Sequence, residues 1–165
     1  MKTIKAIRIT EENFEFMGQV IQIPKEGERA PHLEGDGFKH YGELAIQDCH
    51  GPIEFGITKF DKREMVVDRL EQHAKTPELL LALDGPFLMP VAPKIVVDGK
   101  EAPDLDKLFA IHVDTAEGVI FKDGYWHLAP FPLKEQSSVL VGFKPRSWAD
   151  DIIFFDLPEP VEVVL

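Results

Sequence analysis

Apolar residues fall in short runs broken by Gly, Pro and Asp, and a three-to-four spacing occurs only near the N-terminus. There Thr10 is placed to cap a helix through Glu11–Met17, with Phe14 and Met17 on one face and Gly18 as its stop. The remaining runs read as strands: Val20–Ile23, Tyr41–Ile46, Ile53–Phe60, Glu64–Val67, Leu79–Leu83 and Phe87–Val91. They continue through Ile95–Val97, Leu108–Val113, Gly118–Phe121, Ser138–Phe143, Ile152–Phe155 and Val161–Val164. Asp84-Gly85, Asp98-Gly99 and Asp123-Gly124 lie between such runs and suit tight hairpins, because both residue types tolerate positive φ. Asp104–Lys107 is expected to make one helical turn, and the Val161–Leu165 tail after Pro158 and Pro160 an added edge strand. Many short strands at this spacing predict an all-β antiparallel sandwich or barrel rather than βαβ units. No linker or repeat divides residues 1–165, so one domain is expected.

Composition removes several functions. The 165 residues carry 18 Lys and Arg against 29 Asp and Glu, a formal net charge of -11. Such a surface repels phosphate backbones and anionic headgroups, which argues against nucleic-acid and membrane partners and leaves a small-molecule substrate. The one cysteine, Cys49, excludes an intrachain disulfide and a thiolate zinc cluster. The first residues lack the apolar segment of a secretory signal, and the longest apolar run, Leu79–Leu83, is far too short to span a bilayer. A cytoplasmic protein is the expectation. Phosphate-binding glycine loops, Gly-x-Ser-x-Gly and Cys-x-x-Cys are absent, which disfavours nucleotide, serine-hydrolase and dithiol chemistry.

Candidate chemistry centres on Leu70-Glu71-Gln72-His73 and the Thr76-Pro77-Glu78 that follows. On a strand Glu71 and His73 project from one face, since side chains alternate with period two. A turn at Thr76-Pro77 can return Glu78 beside them, and Trp126-His127 offers a second imidazole. Two imidazoles with one or two carboxylates suit a divalent first-row ion such as Ni, Mn, Fe or Zn. The same residues also fit a solvated strand and turn without any ion. Lys122 stands in the Phe121–Asp123 turn, where its ammonium can point toward the same mouth as His127.

Glu71-x-His73-x4-Glu78 with a later His127 resembles the metal-binding pattern of the cupins, with Glu71 where a first His usually sits. Leu70-Glu71-x-His73, Thr76-x-Glu78, Pro86-Phe87 and Val91-Ala92 follow in the order of the ureidoglycolate lyase family, which are small cupins. Pro103-Asp104-Leu105, Glu117-Gly118-Val119 and Trp126-His127 continue that order, as does the stretch from His32 through Tyr41 to Leu44-Ala45. The resemblance covers nearly the whole chain. It implies a cupin-like double-stranded β-helix, a jelly-roll barrel with a short N-terminal helix. It also implies a cytoplasmic homodimer that splits ureidoglycolate into glyoxylate and urea with metal assistance, in purine nitrogen recovery.

By position in the matched motifs, His73, Glu78 and His127 are the implied ligands. Glu71 is a fourth ligand or the base that accepts the hydroxyl proton, with His73 and Lys122 beside it as catalytic candidates, and His32, His40 and Trp126 are candidates for substrate contact. Family members usually carry Arg at the position of His40 and Asn at that of Ile120. Imidazole lacks the two parallel donors and permanent charge with which guanidinium grips a carboxylate. Two alternatives follow: a relative with a different substrate, or a non-catalytic cupin that binds a small sugar or acid.

Overall fold

A computed structural model describes residues 2–165. In chain order the first strands are β1 (Lys2–Arg8), β2 (Gly18–Ile21), β3 (Leu33–Gly35), β4 (Phe38–His40), β5 (Glu54–Asp61), β6 (Val66–Gln72), β7 (Glu78–Ala82) and β8 (Phe87–Ala92). They are followed by β9 (Lys94–Val97), β10 (Lys100–Pro103), β11 (Phe109–Val113), β12 (Gly118–Phe121), β13 (Trp126–His127), β14 (Phe131–Pro132), β15 (Gln136–Phe143) and β16 (Ile153–Val164). Two short α-helices, α1 (Glu11–Phe14) and α2 (Ser147–Asp150), and the expected single helical turn, a 3-10 turn over Leu105–Lys107, complete the framework.

One sheet runs β11-β1-β16-β6-β13-β8-β14, and β8 also pairs back onto β11, so the strands from β11 to β8 close into a ring. Closure leaves no unpaired edge between those strands. A second sheet, β2-β12-β7-β15-β5, packs on it. Strand β8 explains why its sequence is a continuous apolar run: Phe87, Met89 and Val91 enter the core between the sheets, while Leu88 and Ala92 enter a second core inside the ring. Both faces are buried, so no polar alternation is left to read. The result is the jelly-roll barrel of the cupins with a short N-terminal helix.

Thr10 caps α1 as expected, through a reciprocal capping box with Asn13. The helix stops at Phe14, however, and Gly18 is the first residue of β2 rather than a helix stop. Its role is close approach, since a Cβ there would collide with the Ile120 carbonyl oxygen of the adjoining β12. We expect Gly18→Ala to lower stability by about 3 kcal/mol, at the upper end of overpacking effects because backbone cannot rotate away. A urea midpoint unchanged from wild type would contradict this.

Other expectations are corrected. Lys2–Arg8 forms a strand that its polar alternation concealed, and it lies parallel to both β11 and β16, so the barrel is not wholly antiparallel. Tyr41–Ile46 has no strand. The C-terminal tail belongs to β16, which sits between β1 and β6 and is not an edge. Asp98-Gly99 turns a true hairpin between β9 and β10, with φ of 52° and 75°. Asp84-Gly85 and Asp123-Gly124 instead carry the chain from one sheet to the other. Among the described residues no helix is long and apolar enough to cross a membrane.

Candidate metal centre

Strand alternation places the site. On β6, Leu70 enters the core inside the ring and Gln72 turns the same way, donating to the Gly124 carbonyl at 2.6 Å. Glu71 and His73 therefore face the other sheet. Strand β13 runs antiparallel beside β6 with His127 opposite Glu71 and Trp126 opposite Gln72, which puts His127 on the Glu71 face. Glu78 opens β7 in the second sheet, opposite Phe121, and completes the group from across the barrel.

The turn between β6 and β7 is held from a distance. The Asp151 carboxylate accepts the backbone N–H groups of Ala74 at 3.2 Å and Lys75 at 2.8 Å. The Asp151 carbonyl oxygen lies 2.5 Å from His73 Nδ1. The Tyr125 carbonyl lies 3.3 Å from His127 Nδ1. In the neutral imidazoles, with each Nδ1 donating to a carbonyl, each Nε2 turns its lone pair inward, the arrangement that orients imidazoles on metals. Phe121 stacks on His127 at 5.5 Å and 12°, and Phe143 flanks His73 at 5.7 Å, so the rings have little room to turn.

The donor atoms of His73, Glu78 and His127 all lie within 4.8 Å of one another, and all three residues are buried. Glu78 Oε2 stands 3.1 Å from His127 Nε2 and 3.8 Å from His73 Nε2. Two ligands each about 2.1 Å from one ion stand roughly 3.0 Å apart at a right angle and 3.4 Å at the tetrahedral angle. The Glu78–His127 separation falls within that span, and the Glu78–His73 separation exceeds it by about 0.4 Å, so closing on an ion requires a small inward movement of His73. Glu78 Oε2 is buried without a hydrogen-bond partner, with His127 Nε2 beside it at ion-pair distance. An orphaned carboxylate oxygen between two inward-facing imidazoles is what a divalent cation would satisfy. The group present fits a metal.

Without an ion the three residues stabilise each other electrostatically. Burial alone pushes the Glu78 carboxyl up, but the imidazoles of His127 and, to a smaller degree, His73 more than offset this and leave it below its ordinary range. Burial likewise pulls His127 down, and the carboxylates of Glu78 and Glu71 outweigh it, so its imidazole is held above its ordinary value. Glu71 Oε1 lies 3.7 Å from His127 Nε2 at the edge of the cluster, with its side chain 20% exposed where that of Glu78 is 8% exposed. It is the member best placed to meet a bound molecule.

The cluster opens into a cavity of about 380 Å3 between the sheets, lined also by Phe60, Leu80, Met89, Val141 and Phe143. Lys122 is outside it. Phe121 points into the barrel, so its neighbour points out, and the Lys122 ammonium donates to the Glu15 and Phe16 carbonyls. Trp126, next to His127 on β13, faces the opposite core and packs edge-on to Phe155. His40 lies opposite Leu33 on the exposed hairpin of β3 and β4, and His32, just before β3, donates its backbone N–H to the His40 carbonyl and has Nε2 3.3 Å from Glu43. The structure thus brings Glu71, His73, Glu78 and His127 together and leaves His32, His40, Lys122 and Trp126 away from the cavity lining. Sequence reading missed Asp151, which acts on His73 from 78 residues further along the chain. It also missed the flanking rings of Phe121 and Phe143, which figured only as the ends of the strands read at Gly118–Phe121 and Ser138–Phe143.

A jelly-roll barrel with an inward His/Glu/His donor set defines a cupin-type protein with a candidate metal centre. A model of the ureidoglycolate lyase family matches residues 1–163. The chain belongs to that family. Among solved structures, oxalate decarboxylase from Bacillus subtilis at pH 4.6 is similar at 17% identity over 64% of this chain and 23% of that one, with a TM-score of 0.39. A deletion mutant of the same decarboxylase is 15% identical over 79% of this chain and 30% of that one, with a TM-score of 0.40. The chain spans about a quarter of the length of these decarboxylase chains. No curated protein sequence matches it significantly.

Proposed function

We propose that this protein is a metal-assisted carbon–nitrogen lyase that releases glyoxylate from ureidoglycolate or a closely related carbinolamine acid. The orphaned Glu78 oxygen between the Nε2 atoms of His73 and His127 carries this reading, together with membership of the family. His73, Glu78 and His127 hold a divalent first-row ion, nickel or otherwise manganese, iron or zinc. When bound, such an ion supplies Lewis acidity to the carboxylate and hydroxyl oxygens of the substrate.

The chain supplies the proton chemistry. Glu71 accepts the proton of the substrate hydroxyl as the carbon–oxygen double bond forms, and returns it to the departing nitrogen. His73 and His127 hold their Nε2 atoms fixed through the Asp151 and Tyr125 carbonyls, so that little reorganisation is needed during the reaction. Phe60, Leu80 and Met89 exclude water from the developing charge. A homodimer and a cytoplasmic setting complete the proposal; the unpaired outer edge of β5, with Phe55 and Ile57 exposed on it, supports self-association.

Glyoxylate release from ureidoglycolate by protein incubated with Ni, Mn or Zn tests the reading. Turnover that is lost on chelation and restored by one of these ions is the expected result. Folded, metal-loaded protein that releases no glyoxylate from any carbinolamine acid would contradict it.

A further inference from the structure

Beyond the buried cluster and Glu71, the polar side chains lining the cavity are Glu54 and Thr58, and no Lys or Arg lines it among the described residues. Both Glu54 oxygens are already engaged, one by Trp148 Nε1 at 3.0 Å and the other by the Arg146 backbone N–H at 2.9 Å. The guanidinium of Arg63, behind the wall, is spent on the carbonyls of Pro130 at 2.8 Å and Ala129 at 2.6 Å. Apart from the Thr58 hydroxyl, what remains is hydrocarbon: Phe60, Leu80, Met89, Val141 and Phe143, with Trp148 at the mouth. A urea group turned toward Phe60, Leu80 and Val141 would leave its terminal NH2 donors facing apolar atoms, and burying unpaired donors weakens binding. An alkyl group there would gain instead, each buried methylene strengthening binding roughly fourfold. The volume of about 380 Å3 also lies within the range of sites for much larger ligands than ureidoglycolate.

We infer that the preferred substrate is an N-acyl-α-hydroxyglycine whose acyl group is apolar, the hydroxy acid head lying at His73, Glu78 and His127 and the acyl chain against Phe60, Leu80 and Val141. This rests on the lyase reading above and narrows it. The step balances without a co-reactant. The carbinol O–H proton passes to Glu71, the C–N bond breaks with its electron pair going to nitrogen, and the carbinol carbon becomes the aldehyde of glyoxylate. The same proton then completes a primary amide, and nothing is oxidised or reduced.

The test uses two unreactive analogues, N-isovalerylglycine and N-carbamoylglycine, titrated calorimetrically into the full chain loaded with Mn or Zn. The isovaleryl compound binds at least about tenfold tighter, and Trp148→Ala, a change on an exposed helix, shrinks that ratio. Glyoxylate release from N-isovaleryl-α-hydroxyglycine is correspondingly faster at low concentration than release from ureidoglycolate. Equal binding, tighter carbamoyl binding or no binding of either analogue overturns this inference and leaves the lyase reading standing. Preferential isovaleryl binding with no glyoxylate from either hydroxy acid overturns the lyase reading, and the proposed reaction with it.

Discussion

His127→Ala is expected to weaken divalent-metal affinity at least a hundredfold, more than the loss typical of removing an outer-sphere partner of a ligand. It also lowers the stability of the metal-free protein by about 3 kcal/mol, because the Glu78 carboxylate stays buried after its nearest cation is gone. Titration of the wild-type pair gives this loss a pH signature. The folded His127 is held above its ordinary 6.5, so its contribution is complete below pH 6.5 and fades as pH rises through the raised value. The folded Glu78 is held below its ordinary 4.5, so its contribution is complete above pH 4.5 and fades as pH falls through the lowered value. The stability gap between wild type and variant is therefore widest between about pH 4.5 and 6.5 and narrows on either side. Metal uptake runs the other way, growing as pH rises, since the ion must displace the proton from His127. Denaturant melts of apo protein across this range, with metal titrations beside them, check both slopes. A stability gap that does not vary with pH would deny that these two groups are coupled.

Glu71→Gln separates the two roles open to that residue. The amide keeps the shape and removes the proton acceptor, so turnover is expected to fall roughly 10²- to 10⁴-fold, the span typical of a positioned acid–base group. Metal affinity stays within a few fold of wild type, because Glu71 lies at the rim, 3.7 Å from His127 Nε2, and is not one of the three buried donors. Parallel measurement of glyoxylate release and metal dissociation constant reads both quantities. Full activity in the variant would remove Glu71 from the proton path, and a large loss of metal affinity would make it a ligand.

The centre was legible in the sequence because period-two alternation needs only local residues. Glu71 and His73 share a face once their segment is read as a strand, although the apolar run pointed to a strand over Glu64–Val67 and β6 in fact spans Val66–Gln72, and the step to Glu78 across Thr76-Pro77 was short. The pairing of His127 with Glu71 is a register fact, and no local pattern encodes it; it came from the motif order shared with the family. Alternation also decides against two other candidates. Lys122 follows the inward Phe121, and Trp126 precedes the inward His127, so each must face away from the cavity. His40 ends a hairpin strand opposite Leu33, and His32, just before that hairpin, donates its backbone N–H to the His40 carbonyl. Strand β1 escaped notice because its lysines and arginine interrupt the apolar positions, and only tertiary pairing with β11 and β16 makes it a strand. Asp151 was invisible for the same reason, since its grip on His73 and the β6–β7 turn depends on a contact far along the chain.

Anomalous diffraction from crystals soaked separately in manganese, nickel and zinc tests the central claim most directly. The expected result is one strong peak in the gap bounded by His73 Nε2, Glu78 Oε2 and His127 Nε2, absent after soaking in chelator. Fully occupied peaks elsewhere on the molecule, with this gap bridged only by protein or water, would contradict it.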